Sequence, residues 1–238
     1  MEDRKPARTA RPSAARAKPA RRTPRPRRRA DIRGFRRKAL IEAALAEITR
    51  HGIAGSTLER IAAGAGVTHG LIRHYFRGKS DLLVQAFQAL VDEFHEEWAK
   101  ERAQGADEPV ARLAALVTVN FRAPVFQRER LAAWAAFWDA ARTDAAIRAV
   151  NRAFYTAYRR EVARHLAAVR GGTPDDAAAA ASGAIAVMDG LWLELAVDPD
   201  AFSIDAARSI CVGYVEHALA GTPAAARLRQ MVEAADPA

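Results

Sequence analysis

The sequence lacks the features that mark disulfide-rich, fibrous or membrane-spanning proteins. Cys211 is its single cysteine among 238 residues, which excludes an internal disulfide framework and a cysteine-rich zinc site and suits a reducing cytoplasm. With 14 glycines and 11 prolines, the chain is neither fibrous nor wholly disordered. Its most apolar uncharged stretch, the twelve residues 177–188, is too short to span a bilayer, so no membrane partner is predicted.

Common catalytic and metal-binding motifs are also missing. The chain contains no His-Glu-x-x-His, no Cys-x-x-Cys, no P-loop and no Gly-x-Ser-x-Gly, and its six histidines are scattered. The sequence therefore predicts a protein that is not an enzyme and that uses neither a metal ion nor a cofactor.

Positive charge is concentrated at the front of the chain. Residues 1–30 hold 12 Lys and Arg against 2 Asp and Glu, and residues 31–80 hold 9 against 4. Residues 81–238 hold only 16 basic groups against 22 acidic ones, so a polyanion partner is predicted for the front alone. Five prolines and almost no large apolar residue predict that residues 1–30 are a disordered tail, with weak attraction to phosphate.

Every strong pattern after residue 30 is helical, which predicts an all-α fold. Apolar residues recur at helical spacing and several segments begin with typical capping residues, while alternating strand patterns are missing. The predicted long helices cover about 33–51, 80–102, a segment from 109, 128–142, 144–169, 174–197 and 203–220.

The segment from Thr57 to Phe76 has the pattern of a helix-turn-helix. Ser56 with Glu59, or alternatively Thr57, would cap a first short helix, and residues 64–66 form a turn of small residues. Thr68 would cap a second helix through its hydroxyl, and this helix would enter the DNA major groove.

Polar and basic side chains surround this second helix. Arg73 suits guanine O6 and N7, and His69 and His74 share its exposed face. Arg36, Arg37 and Lys79 would contact phosphate and position the unit on DNA. A glycine turn between two short helices also occurs in other all-helical proteins, where such surface residues are merely solvated.

The same segment resembles the signature of TetR-family transcriptional regulators over about residues 33–83. The matching positions are Ile61-Ala62, Ala65-Gly66-Val67-Thr68, Gly70, Ile72, Tyr75-Phe76, Lys79 and Leu82. The resemblance implies a three-helix DNA-binding domain, followed by a larger helical domain that dimerises and binds an effector. It implies phosphate contacts for Thr57, Thr68, Tyr75 and Lys79, and groove contacts for His69, Gly70, Leu71, Arg73 and His74. Arg73 stands where many members have tyrosine.

Two later segments, 131–138 and 188–193, resemble the BetI-type branch of this family, the choline-responsive repressors of glycine-betaine synthesis genes. Quaternary ammonium ions bind in aromatic cages, and residues 121–158 hold eight of the chain's seventeen aromatic residues. Asp139, Asp189 or Glu194 would add a counter-charge. Most of these rings are expected in the core, and the predicted cage residues are Trp134, Phe137, Trp138, Tyr155 and Trp192.

These patterns divide the chain into four parts. Residues 1–30 are a basic tail, 31–80 the DNA-binding domain, 81–222 the effector-binding and dimerisation domain, and 223–238 a C-terminal tail. Apolar helices rich in small residues near 174–197 and 203–220 predict a four-helix dimer seam, hence a homodimer on a pseudo-palindromic operator. Three alternatives remain: an unrelated apolar or cationic effector, a helical small-molecule-binding protein without gene regulation, and a nucleic-acid packaging protein.

Overall fold

A computed structural model describes residues 29–104 and 108–235 of the chain, and within these ranges all regular structure is helical. The predicted tail at residues 1–28 and the acidic start of the fifth helix at Asp107 lie outside the described residues. Arg29 and Ala30, which the sequence assigned to the tail, already belong to the first helix. The ten described helices are α1 (Arg29–Gly55), α2 (Leu58–Gly64), α3 (His69–Ile72), α4 (Lys79–Gln104), α5 (Pro109–Asn120), α6 (Arg128–Ala140), α7 (Ala145–Arg170), α8 (Ala178–Val197), α9 (Ile204–Ala218) and α10 (Ala224–Ala234).

The first three helices form one small packed unit. The α1 stripe of Leu40, Ala44 and Ile48 is buried against Ile61 of α2 and Ile72 of α3. Gly52 interrupts α1 with φ +64°, in the left-handed region that glycine tolerates best. The regular part of α1 therefore ends where the sequence predicted.

Helix α5 lies at the centre of the larger domain. From Val110 to Asn120 all but one of its residues are buried, and α4, α7, α9 and α10 pack around it. This explains why its sequence is apolar on all sides rather than amphipathic.

The last helix differs from the prediction. Residues 224–234 form α10, where the sequence analysis placed a tail, and Leu228 and Val232 are buried against the domain. Helix α10 packs on α5 and α9. The short apolar spacing of Leu228 and Val232 is a weak helical pattern, and the packing partner decides its state.

Helix starts follow local chemistry. The Asp144 carboxylate accepts from the backbone N–H of Ala146 at 2.8 Å and of Ile147 at 3.1 Å, and the Ser203 hydroxyl accepts from Ala206 N–H at 3.1 Å. These bonds satisfy N–H groups that have no partner inside the helix. The predicted starts of α7 and α9 are confirmed.

Helix α8 is the most apolar element of the described chain, and by length and composition it is the one described helix able to cross a membrane. It nevertheless carries Asp189 and Glu194, and it packs along α6, α7 and α9. Gly183 lets α9 approach closely, because a Cβ atom there would lie 1.7 Å from the Tyr214 hydroxyl.

Gly183→Ala is therefore expected to destabilise the protein by about 1–3 kcal/mol, since the Tyr214 ring must move to admit the methyl group. Thermal denaturation of purified protein measures the change. Gly34→Ala is the matched control, because nothing lies within 4 Å of its Cβ position. Equal melting temperatures for the two variants would contradict this packing.

Candidate functional site

The glycine turn and its preceding cap are built as a helix-turn-helix requires. Thr57, and not Ser56, caps α2: its hydroxyl accepts from Arg60 N–H at 3.3 Å, while the buried Ser56 hydroxyl donates to Gly52 O at 2.7 Å. Gly66 adopts φ +65°, so the chain reverses without strain between α2 and α3. Val67 N–H then bonds to Ala62 O at 2.9 Å, which fixes α3 against α2.

Helix α3 presents the side chains that the sequence placed on its outer face. Thr68, Gly70, Arg73 and His74 are exposed, whereas Ile72 is fully buried. Leu71 and Tyr75 are half-buried and lie at the edge of this face. The expected hydroxyl cap is absent: Thr68 occupies the N-cap position of α3 without a side-chain capping bond, so its hydroxyl stays available to an outside partner.

His69 is less free than its neighbours on α3. Its Nε2 lies 3.8 Å from a Glu59 carboxylate oxygen of α2, and its side chain is 40% exposed. The contact joins the two helices of the motif, so His69 contributes to positioning as well as to the exposed surface.

The predicted phosphate-binding residues flank this face, and they differ in their exposure and in the contacts they make. Arg36 is fully exposed near the start of α1. Arg37 lies over the Phe76 ring, 5.9 Å from its centroid, and donates to Gln85. Lys79 Nζ donates to Ile53 O at 2.8 Å and so ties the start of α4 to the end of α1, which leaves two of its three protons for other partners.

A second site lies inside the larger domain, where aromatic rings from four helices meet around a cavity of about 10 Å³. A half-buried carboxylate and a buried amide complete its wall. The lining residues are Phe94, Asn120, Trp134, Trp138, Phe154, Tyr155, Tyr158, Asp189 and Trp192.

Four of the five predicted cage residues line this cavity, and the structure corrects the fifth. Phe137 is fully buried and stacks on Phe87 of α4 at a centroid distance of 4.6 Å, so it fills the core instead. Trp134 and Phe137 lie three positions apart on α6 and both contact Phe87, yet Trp134 lines the cavity and Phe137 does not, which ring spacing alone does not reveal. Sequence reasoning also missed Phe94 and Asn120, since neither carries a signal that separates it from ordinary core residues.

Hydrogen bonds fix three of the lining residues, Asn120, Tyr158 and Trp192, which form the floor of the cavity. Trp192 Nε1–H donates to Asn120 O at 2.8 Å, and Asn120 Nδ2 donates to the Tyr158 hydroxyl at 3.1 Å. The Tyr158 and Phe154 rings stack at 5.4 Å. These contacts lock the rotamers of the rings and make the floor rigid.

Of the three counter-charge candidates, Asp189 is the one whose carboxylate lines the cavity. Asp139 forms an exposed ion pair with Arg142, and Glu194 is exposed on α8. Burial raises the pKa of Asp189 to about 6, while the hydrogen bond from Tyr155 and the charge of Arg159 oppose this rise. Burial beside Asp189 also raises the pKa of Tyr155, so the phenol stays neutral and donates.

The two sites share helices α4 and α6. Phe94 and Trp134 line the cavity, and at the start of α6 Arg130 forms a two-pronged ion pair with Glu93 of α4, with both N···O distances 2.9 Å. Arg130 also reaches Glu42 of α1 at 3.3 Å. A direct connection therefore runs from the aromatic cavity to the helix-turn-helix unit, and nothing in the sequence pattern signalled it.

Two family models match the chain. Residues 40–86 match the model described as bacterial regulatory proteins, tetR family, and residues 109–220 match the model described as BetI-type transcriptional repressor, C-terminal. The HTH-type transcriptional regulator BetI 1 of Chromohalobacter salexigens is 34% identical over 187 residues, which cover 78% of this chain and 91% of that relative. The chain belongs to the BetI-type branch of the TetR family of transcriptional regulators.

Solved structures agree with this assignment. A transcriptional regulator from Pseudomonas aeruginosa PAO1 is 35% identical, with a TM-score of 0.70 over 82% of this chain and 95% of that one. A regulator from Saccharomonospora viridis, solved in complex with choline, shares the fold with a TM-score of 0.69 at 23% identity, covering 77% of this chain and 97% of its own.

Family membership excludes the two alternatives without gene regulation, a helical small-molecule-binding protein and a nucleic-acid packaging protein. The protein is a DNA-binding transcriptional regulator that responds to a small-molecule effector, and it is not an enzyme. The helix-turn-helix unit is its DNA-binding domain, and the all-α prediction with a larger helical second domain is confirmed.

Arg73→Ala is expected to cost about 1–3 kcal/mol of operator affinity and to relax the preference at one base pair, because an exposed arginine at the C-cap of α3 suits guanine. Binding titrations on single-base operator variants measure this. Arg142→Ala is the control, since Arg142 lies on the far domain with an 80% exposed side chain. An equal loss on every sequence would contradict a base-reading role.

Proposed function

We propose that this regulator is a homodimeric repressor that a quaternary ammonium ion of the choline type releases from its operator. The observation that carries the proposal is a half-buried carboxylate, Asp189, that lines an aromatic cavity. Each aromatic face attracts a quaternary ammonium ion by about 0.5–2 kcal/mol. This attraction needs no hydrogen bond, which suits an ion that has no N–H donor.

Charge favours a cation over an unrelated apolar effector. An ionised Asp189 is costly in this half-buried site, because the Arg159 charge only partly offsets the effect of burial on its pKa. A cation in the cavity would remove that cost, whereas a neutral apolar ligand would increase it. The names of the BetI relatives and the choline complex of the Saccharomonospora viridis regulator support the same ligand class. Control of choline and glycine-betaine genes follows as the physiological role.

Helices α8 and α9 support the homodimer. Large apolar side chains remain exposed there, at Val197, Ile204 and Ile210, beside the small residues Ala186 and Gly190 of α8. Two such helix pairs would bury these groups in a four-helix seam. A two-fold dimer presents two copies of α3 to a pseudo-palindromic operator in the cytoplasm.

On this operator, Arg73, His74 and the neighbouring α3 residues read base edges. The surrounding groups hold the backbone through phosphate contacts that fix the register of the domain. The proposed phosphate-binding residues are Arg36, Arg37, Thr57, Thr68, Tyr75 and Lys79, and the proposed groove residues are His69, Gly70, Leu71, Arg73 and His74.

The small size of the cavity explains how a bound ligand releases the protein from DNA. At about 10 Å³ it holds no more than a water molecule, so a bound cation must displace rings such as Phe94 of α4 and Trp134 of α6. Because both helices reach the DNA-binding domain, the displacement changes the spacing of the two α3 helices. The cation then favours the state that does not bind DNA, and DNA opposes the cation equally.

Choline is expected to release the protein from DNA upstream of its own gene, measured by fluorescence anisotropy of a labelled fragment. The apparent affinity should fall as the pH drops through about 6, because protonation removes the charge of Asp189. Asp189→Asn should weaken choline at neutral pH by about tenfold or more and abolish this pH dependence.

The neutral carbon analogue of choline, 3,3-dimethylbutan-1-ol, is the matched control ligand, and Asp139→Asn is the control variant. Release by the neutral analogue at the same concentration as choline would show that charge is not recognised. Release by choline in Asp189→Asn with unchanged affinity would remove Asp189 from the site.

A further inference from the structure

The aromatic cavity is one compartment of a larger site. Outside it lies an open groove of about 360 Å³, lined by Trp138, Asn151, Tyr155, Asp189, Gly190 and Leu193. Small-molecule sites in proteins typically measure about 300–1,000 Å³, whereas the cavity alone has room for about one water. The volume that a ligand needs is therefore found mainly in the groove.

Trp138, Tyr155 and Asp189 belong to both compartments and form the wall between them. The neutral Tyr155 phenol and the Asp189 carboxylate both line the cavity and the groove. A cation that reaches Asp189 stands where cavity and groove meet. Any substituent on the cation would then extend into the groove.

The groove suits a tail that is uncharged. Asp189 is the one charged residue among its lining residues, so a negative tail would meet the repulsion of this carboxylate. Leu193 is 47% exposed and offers apolar surface, while Gly190 leaves the space beside it open. Asn151 Oδ1 and the Trp138 indole N–H are buried without hydrogen-bond partners of good geometry, and unmet polar groups of this kind favour a polar ligand atom.

We propose that this groove is a second effector subsite, which binds an uncharged tail longer than a hydroxyethyl group, so that the preferred effector is an O-substituted or otherwise extended quaternary ammonium ion. The proposal rests on the proposed function, because the cation must first occupy the cavity beside Asp189. It extends that function by assigning the tail of the ligand to named residues outside the cage.

The test compares three cations that share one head group: tetramethylammonium, choline and butyrylcholine. Dissociation constants come from quenching of tryptophan fluorescence in the full-length protein, since Trp134, Trp138 and Trp192 line the cavity. Affinity should increase along this series, by up to about fourfold for each methylene that the groove covers. The ratio of butyrylcholine to tetramethylammonium affinity is the decisive quantity.

Asn151→Phe should bring this ratio close to one, because its ring fills the groove from α7, away from the α8 residues proposed for the dimer seam. Asn151→Ala, which adds no bulk, should lower the ratio as well. Thr156→Ala, exposed one turn further along α7, should leave it unchanged.

Equal affinities of the wild-type protein for the three cations would overturn the proposal, whether a partner subunit fills the groove or the tail stays in solvent. A ratio that Asn151→Phe and Asn151→Ala leave unchanged would also overturn it. Failure of tetramethylammonium and choline alike to bind would instead contradict the proposed function, so the two failures are distinguishable.

Discussion

Arg130 is the point on which the whole arrangement depends. Its guanidinium joins Glu93 of α4 with two hydrogen bonds of 2.9 Å and approaches Glu42 of α1 at 3.3 Å. A side chain that is only 19% exposed holds this geometry better than a surface ion pair would, because solvent competes less for its donors. Beside it, the Thr49 hydroxyl of α1 bonds to Glu129 O at 2.9 Å. The start of α6 is thereby fixed to the DNA-binding domain.

Tight packing around the aromatic cavity is a second constraint on helices α4 and α6. Trp134 and Phe94 close a cavity too small for a ligand, and beside them lies the half-buried Asp189, whose pKa burial raises to about 6. A close-packed interior changes between discrete arrangements rather than yielding smoothly. A ligand that opens this cavity must therefore move α4, α6 or both, and the Arg130 contacts carry that movement to α1.

Much of the fold could be predicted from the sequence, because the decisive signals are local. Asp144 and Ser203 indicate helix starts because their side chains cap the first turn with hydrogen bonds. Gly66 indicates a turn because the turn needs a positive φ, which glycine tolerates. Long-range packing could not be predicted in the same way. Phe137 and Trp134 look alike in sequence and both contact Phe87, yet only Trp134 of the two lines the cavity. Helix α10 is helical because α5 and α9 cover it. Asp189 differed from Asp139 only by burial, which spacing does not report.

The most direct test of the central claim is the coupling between the two sites with and without the Arg130 link. The affinity of choline is measured for the free and the operator-bound protein, in the wild type, in Arg130→Gln and in the control Arg142→Gln. The account predicts that operator DNA weakens choline binding by about 5- to 150-fold in the wild type and the control. In Arg130→Gln the ratio should fall towards one while both ligands still bind. An unchanged ratio in Arg130→Gln would contradict the account.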